Sequence, residues 1–391
     1  MLLANEKILT ILERTLNLVA YQLVGHGKRV AYSVYKKLYP LARYSDRELR
    51  DICMLALLHD IGAYKTDDVN DILAFDAENA WDHSIYGYLF TKHFSPLKEL
   101  APVLLFHHAK PHQMYALTED ERELSLLFKE CDKEDIKICV SSDCETNTDD
   151  FELNELFNKI PFSEEEVEAY IKMVVYCIDF RSPQTMLHTF AASFVAKTLA
   201  TLSGASREEV EFVRIGAMLH DIGKMGTPLY ILESTANTLS KSDMEIMRDH
   251  ILHSRDVLSG CVSDVVFGIA TNHHERLTGN GYPRRLKEGE IPFLDGLMAV
   301  ADLFSALCVS RSYQQAKTKE KAIEILQNIR DNKLLDAYVL NLAIDNFDEI
   351  IDNLHSQSEP VVSAYDEINK EKKWLQAKFK QGDYDYRSEI V

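Results

Sequence analysis

A chain of 391 residues is long enough for two or three domains, and its hydrophobic content of 46% is ordinary for a globular protein. The formal net charge of -19 argues against duplex nucleic acid as a partner, and no run of about 18 apolar residues is present to span a membrane. Seven cysteines without paired spacing indicate reduced thiols and therefore a cytoplasmic location. Together these features predict a cytoplasmic protein that binds neither duplex nucleic acid nor a membrane.

Helical periodicity dominates the chain from its beginning. Apolar residues recur at three- and four-residue steps, whereas the strict alternation of a strand is nearly absent. The periodic segments are 8–20, 29–39, 48–58, 84–94, 165–178, 187–202, 208–219, 244–258, 262–272, 295–309 and 319–330. The sequence therefore predicts an all-α fold.

A polar stretch between Ser141 and Glu155 interrupts this periodicity and predicts a domain boundary. The predicted division is an N-terminal domain at 1–145, a linker at 146–164, a C-terminal domain at 165–357 and a charged tail at 358–391. The tail is compatible with either a docked helix or a mobile extension.

The chemistry-bearing residues of the C-terminal half are centred on the adjacent pair His220–Asp221. The pair follows an apolar run and precedes Gly223, which permits a tight turn, and Lys224, which supplies a cation. Adjacent imidazole and carboxylate groups can bind one metal ion, and the second carboxylate oxygen can bridge to another ion. Further residues of metal-ligand type occur around the pair: His188, His250, His273, His274 and Asp302.

In this order, and with the block Gly279-Asn280-Gly281-Tyr282-Pro283 after the two adjacent histidines, the sequence resembles the HD-GYP family of the HD-domain phosphohydrolase superfamily. The resemblance covers roughly residues 170–340, and Thr278 departs from it because the family usually has Asp there. It implies two divalent ions. The first would be held by His188, His220, Asp221 and Asp302, and the second by His250, His273 and His274, with Asp221 bridging.

The resemblance also implies the remaining roles. Asp221 and Lys224 would be catalytic, and the substrate would be bound by Lys224, Gly281, an exposed Tyr282, Pro283 and Arg311. Mixed nitrogen and oxygen ligands favour iron or manganese, with zinc, cobalt, nickel and magnesium as alternatives. Some family members have a Glu ligand for a third ion where this chain has Gln184, so we expect two ions. Glu275 is expected either to orient an imidazole or to be solvated.

The N-terminal half repeats the histidine spacing of the C-terminal half. His26 and His59 are 33 residues apart, against 32 for His188 and His220, and His83 and His107 are 24 apart, against 23 for His250 and His273. The repeated residues are His26, His59, Asp60, His83, His107 and His108, with Asp132 or Asp143 as the last carboxylate. Ala63 replaces the lysine, and no Gly-Tyr-Pro block follows. We interpret the chain as two HD-type helical bundles in tandem, the first degenerate, with either a retained metal site or a structural relic.

The function implied by the resemblance is hydrolysis of cyclic di-GMP to linear pGpG, with or without further cleavage to GMP. The nearest alternative is cyclic GMP-AMP, which three departures from the family keep open. They are Thr278, Arg285 where the family usually has Gly, and Gln314 where the family often has a basic residue. A second class of hypothesis is a catalytically quiet receptor that binds a dinucleotide or a diguanylate cyclase through the Tyr282 loop, or that self-associates. A third is a phosphohydrolase of linear nucleotides.

Overall fold

A computed structural model of the chain describes residues 5–19, 24–65, 80–141, 151–181, 187–234, 238–308 and 317–388. Within these ranges the protein is all-α, as predicted, and its only extended pairing is an isolated bridge between Thr278 and Lys287. No helix in these ranges combines the length and apolar content that crossing a bilayer requires.

The described ranges contain eighteen α-helices. The first nine are α1 (Asn5–Val19), α2 (His26–Leu38), α3 (Asp46–Leu57), α4 (Ala80–Phe94), α5 (Ala101–Phe106), α6 (Glu119–Ser141), α7 (Phe151–Lys159), α8 (Glu164–Arg181) and α9 (His188–Leu202). The other nine are α10 (Arg207–Leu219), α11 (Leu229–Leu232), α12 (Lys241–Arg248), α13 (His250–Leu258), α14 (Asp264–Thr271), α15 (Phe293–Cys308), α16 (Lys319–Asp331), α17 (Ala337–Asp345) and α18 (Phe347–Lys380).

The chain divides into two compact units. The C-terminal unit comprises Ile178–Ser363, and the N-terminal unit comprises Ala4–Cys177 with Ala364–Val391. These limits differ from the predicted boundaries, because the division falls inside α8 and α18. Part of the predicted linker is helix α7, which buries Leu153, Leu156 and Phe157 and is therefore a packed element of the N-terminal unit.

In the C-terminal unit, helix α9 packs against α10 and α15. The contacting surface of α9 carries small side chains, including the fully buried Ala192 and Ala196, and small residues allow helix axes to approach closely. Helix α10 begins with a capping box, in which Ser206 and Glu209 each bond to the other's backbone amide. It ends at Leu219, immediately before His220, so packing and capping together fix the position of the His-Asp pair.

In the N-terminal unit, α2 packs against α3 and α6, and α4 packs against α5. Helix α3 starts with the same capping box, formed by Ser45 and Glu48, and ends two residues before His59. The charged tail is a docked helix: the last turns of α18 bury Leu375 and Phe379, and the Phe379 ring lies 4.5 Å from the Trp81 ring in α4.

Candidate metal centre

Five imidazoles and two carboxylates of the C-terminal unit come from separate elements and converge. His188 is the first residue of α9, His220 and Asp221 directly follow α10, and His250 is the first residue of α13. His273 and His274 follow α14, and Asp302 lies within α15. The ligand-type atoms of His188, His220 and Asp221 lie within 4.8 Å of one another, as do those of His250, His273 and His274.

Asp221 lies between these two groups. Its Oδ2 is 3.1 Å from His220 Nε2 and 3.5 Å from His188 Nε2, whereas its Oδ1 is 3.5 Å from His250 Nε2. Asp302 belongs to the first group, because its Oδ1 lies 3.1 Å from His188 Nε2. The two oxygens of one carboxylate therefore face different imidazole groups.

Hydrogen bonds at Nδ1 determine which ring nitrogen faces the centre. Nδ1 of His220, His250 and His273 lies 2.7, 2.6 and 2.9 Å from a backbone carbonyl oxygen one turn earlier. A carbonyl oxygen only accepts, so Nδ1 carries the proton and donates it. Each Nε2 then has a lone pair directed at the centre, and these buried Nε2 atoms have no hydrogen-bond partner among the described residues. This is the arrangement of metal-ligating histidines in proteins.

The electrostatics of the centre keep the donor atoms in the form that binds metal. Burial lowers the pKa of His250 to about 4 and that of His273 to about 3, so both rings are neutral near pH 7. Burial would raise the pKa of Asp221, but the neighbouring His220 and Lys224 hold it well below its ordinary value. His250 and His273 thus present neutral imidazoles beside the ionised Asp221, whereas the pKa of His220, which burial would lower, is raised by Asp221.

Lys224 reaches the centre from the 3₁₀ turn Ile222–Gly226. Its Nζ lies 2.5 Å from Asp221 Oδ2, and the side chain is largely buried. The amine is therefore a cation held beside the carboxylate, within reach of an anion bound there.

Gly223 is needed for a different reason from the tight turn expected from the sequence. Its φ is not positive; instead, a Cβ at this position would lie 1.9 Å from the carbonyl oxygen of His250. The turn and α13 are packed backbone to backbone, and the Gly223 amide donates to Ser254 Oγ at 2.9 Å. The glycine therefore sets the distance between Asp221 and His250.

The loop after His274 is closed by Glu275. This buried carboxylate accepts hydrogen bonds from the backbone amides of Arg284 and Leu286, at 2.6 and 2.9 Å. Both expectations for Glu275 were wrong, because its carboxylate is neither solvated nor bonded to an imidazole. Gly281 completes the closure, since a Cβ there would lie 2.5 Å from the backbone of Glu275 and Arg276.

Tyr282 packs into the centre, which corrects the expectation that it is exposed. Its ring is stacked on the His274 ring with centroids 4.7 Å apart, and the guanidinium of Arg248 lies 5.3 Å from its centroid. The phenol is half-buried, and burial raises its pKa. Stacking on the His274 imidazole accounts for the position of the Tyr282 ring. Pro283 follows through a cis peptide bond.

The sequence analysis did not single out Arg248, Arg276 or Asp179. Arg276 Nη1 donates to the carbonyl oxygens of His273 and Glu275, and Asp179 is buried and accepts a hydrogen bond from Thr189, next to His188. Arg248 lies two residues before His250 and Arg276 lies two residues after His274, which was the available signal. Asp295 in α15 is also buried, and it accepts a hydrogen bond from Asn272.

Some predicted positions lie outside the described residues: Arg311, Gln184, Gln314 and Asp143. The N-terminal candidates do lie together within their own unit. One group contains Asp60, His83, His107 and His108, and the other contains His26, His59 and Asp132.

Known proteins resemble this chain in sequence and fold. Residues 172–339 match the family model described as HD domain. The chain is 24% identical over 387 residues to the 3'3'-cGAMP-specific phosphodiesterase 1 of Vibrio cholerae, which covers 85% of this chain and 89% of that protein. It is 34% identical over 177 residues to the cyclic di-GMP phosphodiesterase of Thermotoga maritima, and this alignment covers 44% of this chain and 48% of that protein.

A solved structure shares the fold. The crystal structure of a cyclic GMP-AMP specific phosphodiesterase of V. cholerae, V-cGAP3, superposes with a TM-score of 0.51 at 14% identity. The match covers 88% of this chain and 98% of that chain. At this identity the likeness concerns the fold alone.

Proposed function

Because this chain belongs to the HD-GYP family through the HD domain in its C-terminal half, we propose that it is a metal-dependent phosphodiesterase that hydrolyses a cyclic dinucleotide. The observation that carries this proposal is the position of Asp221, whose Oδ2 faces His220 and whose Oδ1 faces His250. A carboxylate placed in this way can bridge two divalent ions, an arrangement that recurs in enzymes that cleave phosphoesters.

The donor set fits two such ions. We assign the first ion to His188, His220, Asp221 and Asp302, and the second to His250, His273 and His274, with Asp221 shared. Buried imidazoles with free Nε2 lone pairs and mixed oxygen donors suit iron or manganese. When bound, the ions would supply Lewis acidity toward a phosphoryl oxygen and toward water.

The chain's own residues bind and orient the substrate. Lys224 neutralises a non-bridging phosphate oxygen as negative charge develops at phosphorus, because its Nζ is held beside Asp221. Glu275 and Gly281 hold the loop that carries Tyr282 and Pro283 against the centre. Tyr282 and Arg248 offer a ring and a cation at the edge of the site, where a nucleobase and its phosphate would lie. Arg311 is proposed as a further phosphate contact.

Two cyclic dinucleotides fit this proposal. Cyclic di-GMP would be opened to pGpG, and the relative from T. maritima is named for that substrate. Cyclic GMP-AMP is favoured by a separate observation: the V. cholerae relative named for it aligns with both halves of this chain, whereas the T. maritima protein aligns with less than half.

The experiment is a parallel digest of cyclic di-GMP and cyclic GMP-AMP by purified protein loaded with Mn(II), or with Fe(II) under anaerobic conditions. Linear dinucleotide should appear from at least one substrate. Asp221→Ala should abolish turnover and metal binding by the C-terminal groups, because it removes the ligand that the two ions share. Asp256→Ala is the matched control, since Asp256 is exposed on α13, outside both groups.

The alternatives predict different results in the same digest. Bound dinucleotide without linear product would indicate a receptor, including one that signals to a diguanylate cyclase or by self-association. Cleavage of linear nucleotides in an added parallel digest, with both cyclic dinucleotides left intact, would indicate a general phosphohydrolase. Full activity of Asp221→Ala would reject the two-metal account.

A further inference from the structure

The N-terminal unit contains a second set of five imidazoles and two carboxylates, and we propose that it binds two divalent metal ions of its own. The ligand-type atoms of Asp60, His83, His107 and His108 lie within 4.8 Å of one another, and those of His26, His59 and Asp132 do so as well. This proposal does not depend on the function proposed for the C-terminal unit.

The group of His26, His59 and Asp132 reproduces the geometry of the C-terminal group that contains His188 and Asp302. His26 Nε2 lies 3.3 Å from Asp132 Oδ1, and the matching distance between His188 Nε2 and Asp302 Oδ1 is 3.1 Å. Asp132 is buried within α6, as Asp302 is held within α15. The last carboxylate, which the sequence left open between Asp132 and Asp143, therefore has a geometric candidate in Asp132.

The central carboxylate is also placed as in the C-terminal unit. Asp60 Oδ2 lies 3.4 Å from His59 Nε2, and its Oδ1 lies 4.0 Å from His83 Nε2. The corresponding distances from Asp221 are 3.1 Å and 3.5 Å. Asp60 therefore presents one oxygen to each group, which is the position of a bridging ligand.

The histidines are held in the tautomer that binds metal. Nδ1 of His59 donates to the Ala56 carbonyl oxygen at 2.8 Å, and Nδ1 of His107 donates to the Leu104 carbonyl oxygen at 2.5 Å. The Nε2 atoms of His59, His83 and His107 are buried and have no hydrogen-bond partner among the described residues. Burying an unpaired polar atom costs free energy, and a metal ion is the partner that would offset several such costs at one point.

An outer contact supports His26. Its Nδ1 lies 2.7 Å from Asp135 Oδ2, and Arg29 Nε donates to the other oxygen of Asp135 at 2.7 Å. A carboxylate behind an imidazole fixes the ring orientation and makes Nε2 a better ligand. Asp135 is one turn from Asp132 on α6, so one helix supplies both a ligand and the support of another ligand.

The backbone is shaped around the second set in the same way. A Cβ on Gly62 would lie 1.9 Å from the His83 carbonyl oxygen, as a Cβ on Gly223 would from that of His250. This close approach of a turn to a helix brings Asp60 beside His83.

The second set differs from the first in what surrounds it. Ala63 replaces Lys224, so the turn offers no amine to a phosphate oxygen, and Lys129 Nζ instead donates to the carbonyl oxygens of His108 and Ala109. The ligand class is therefore the divalent transition ion itself, and not a cyclic dinucleotide. Because the donors come from α2, α4, α6, the turn after α3 and the two residues after α5, bound ions would cross-link these elements.

The test is metal stoichiometry by elemental analysis after reconstitution with Mn(II) and removal of loose ions. The unaltered chain should hold about four ions, two in each unit. A double variant, Asp221→Ala with His250→Ala, should retain about two. Asp60→Asn with His83→Gln should also reduce the count to about two, while hydrolysis of the dinucleotide continues. His112→Ala is the control, because His112 is exposed in the same unit and lies outside both groups.

Circular dichroism establishes that each variant keeps its helix content. If Asp221→Ala with His250→Ala does not fold, the comparison of Asp60→Asn with His83→Gln against the unaltered chain decides. An unaltered chain with two ions, or a count that Asp60→Asn with His83→Gln leaves unchanged, overturns the proposal. Four ions without turnover would uphold the second site and reject the proposed phosphodiesterase, so the two failures are distinguishable.

Discussion

Asp221 shows how two adjacent residues in a sequence become the centre of a site. The sequence indicated a bridging role because a carboxylate has two oxygens next to an imidazole. In the structure His220 has helical dihedral angles at the end of α10, whereas Asp221 lies just beyond it with a φ of -102° and a ψ of 11°. Both side chains reach the same group of ligand-type atoms. The histidines could be identified by type and order. Their tautomers could not, because the carbonyl oxygens that fix Nδ1 depend on local helix geometry.

Lys224 is expected to act in turnover without holding metal. Lys224→Ala should lower kcat by about 10²–10³-fold, the loss typical when one group that stabilises developing charge is removed. Metal content should stay at the value of the unaltered chain, since no ligand is changed. Steady-state kinetics with elemental analysis of the same sample measures both. Lys224→Arg should recover part of the rate because it keeps the cation; a normal kcat for Lys224→Ala would contradict this role.

Glu275 is expected to control substrate affinity through the loop. Glu275→Gln replaces one of the two acceptor oxygens with an amide that faces a backbone N–H, which costs about 1.5–3 kcal/mol for a bond to a charged group. The KM for the dinucleotide should rise by roughly tenfold or more, because 1.4 kcal/mol corresponds to a factor of ten. Glu290→Gln is the control: Glu290 also accepts a loop amide, from Lys287, but is exposed. Equal KM values for the two variants would refute the assignment.

At the scale of elements, periodicity located most helices but not where they break. All eleven periodic segments overlap helices, yet 244–258 is two helices separated at Asp249. Helix α6 was missed, although Leu124, Phe128 and Cys131 are buried at four- and three-residue steps. Its many acidic and basic residues weaken the apolar pattern, and part of its buried surface is polar because it carries Asp132 and Asp135.

Gly223 sets the spacing between a turn and a helix, so a single methyl group should disrupt the centre. Gly223→Ala places a Cβ 1.9 Å from the His250 carbonyl oxygen and 2.5 Å from the Ser254 amide nitrogen, both of which are backbone atoms that cannot rotate away. We expect a loss of about 3 kcal/mol in the free energy of unfolding and loss of the metal bound by the C-terminal groups.

The matched control for this variant is Gly296→Ala within α15. A Cβ there would meet only Ile291 Cγ2, at 3.9 Å, and alanine in a helix interior is favoured over glycine by about 1 kcal/mol. Gly296→Ala should therefore be neutral or stabilising in urea unfolding, with metal content retained. A Gly223→Ala protein as stable as the Gly296→Ala protein would show that the close approach is not required.

At the scale of the molecule, the repeated spacing of the histidines could be predicted from the sequence more readily than the boundaries of the two units. Two of the histidine intervals agree to within one residue because each half places its ligand-type residues on a similar succession of helices and turns. Boundaries were harder, because the polar stretch that breaks periodicity does not coincide with the change in packing. The position of the tail depends on contacts between residues nearly 300 positions apart, such as Tyr88 and Glu371, which no local pattern encodes.

Substitution of Glu371 in α18 tests whether the C-terminal end of this helix stabilises the N-terminal unit. Its buried carboxylate accepts hydrogen bonds from Lys92 Nζ at 2.5 Å, His93 Nε2 at 3.2 Å and Tyr88 OH at 3.4 Å. Glu371→Gln removes the charge and should reduce the free energy of unfolding by about 1–3 kcal/mol at pH 7. Glu367→Gln, on an exposed position one turn earlier, should change it little.

The pH dependence separates the charge from the shape of this side chain. Burial would raise the pKa of Glu371, but His93 and Lys92 hold it below the ordinary value of 4.5. A carboxylate with a depressed folded-state pKa stabilises the fold above its unfolded pKa, and that contribution is lost as the pH falls through the folded value. The difference in Tm between the unaltered chain and Glu371→Gln should therefore be large at pH 7, begin to shrink near pH 4.5 and vanish once the pH is below the depressed folded-state pKa. A difference that persists undiminished in acid would mean that the carboxylate charge does not hold the tail.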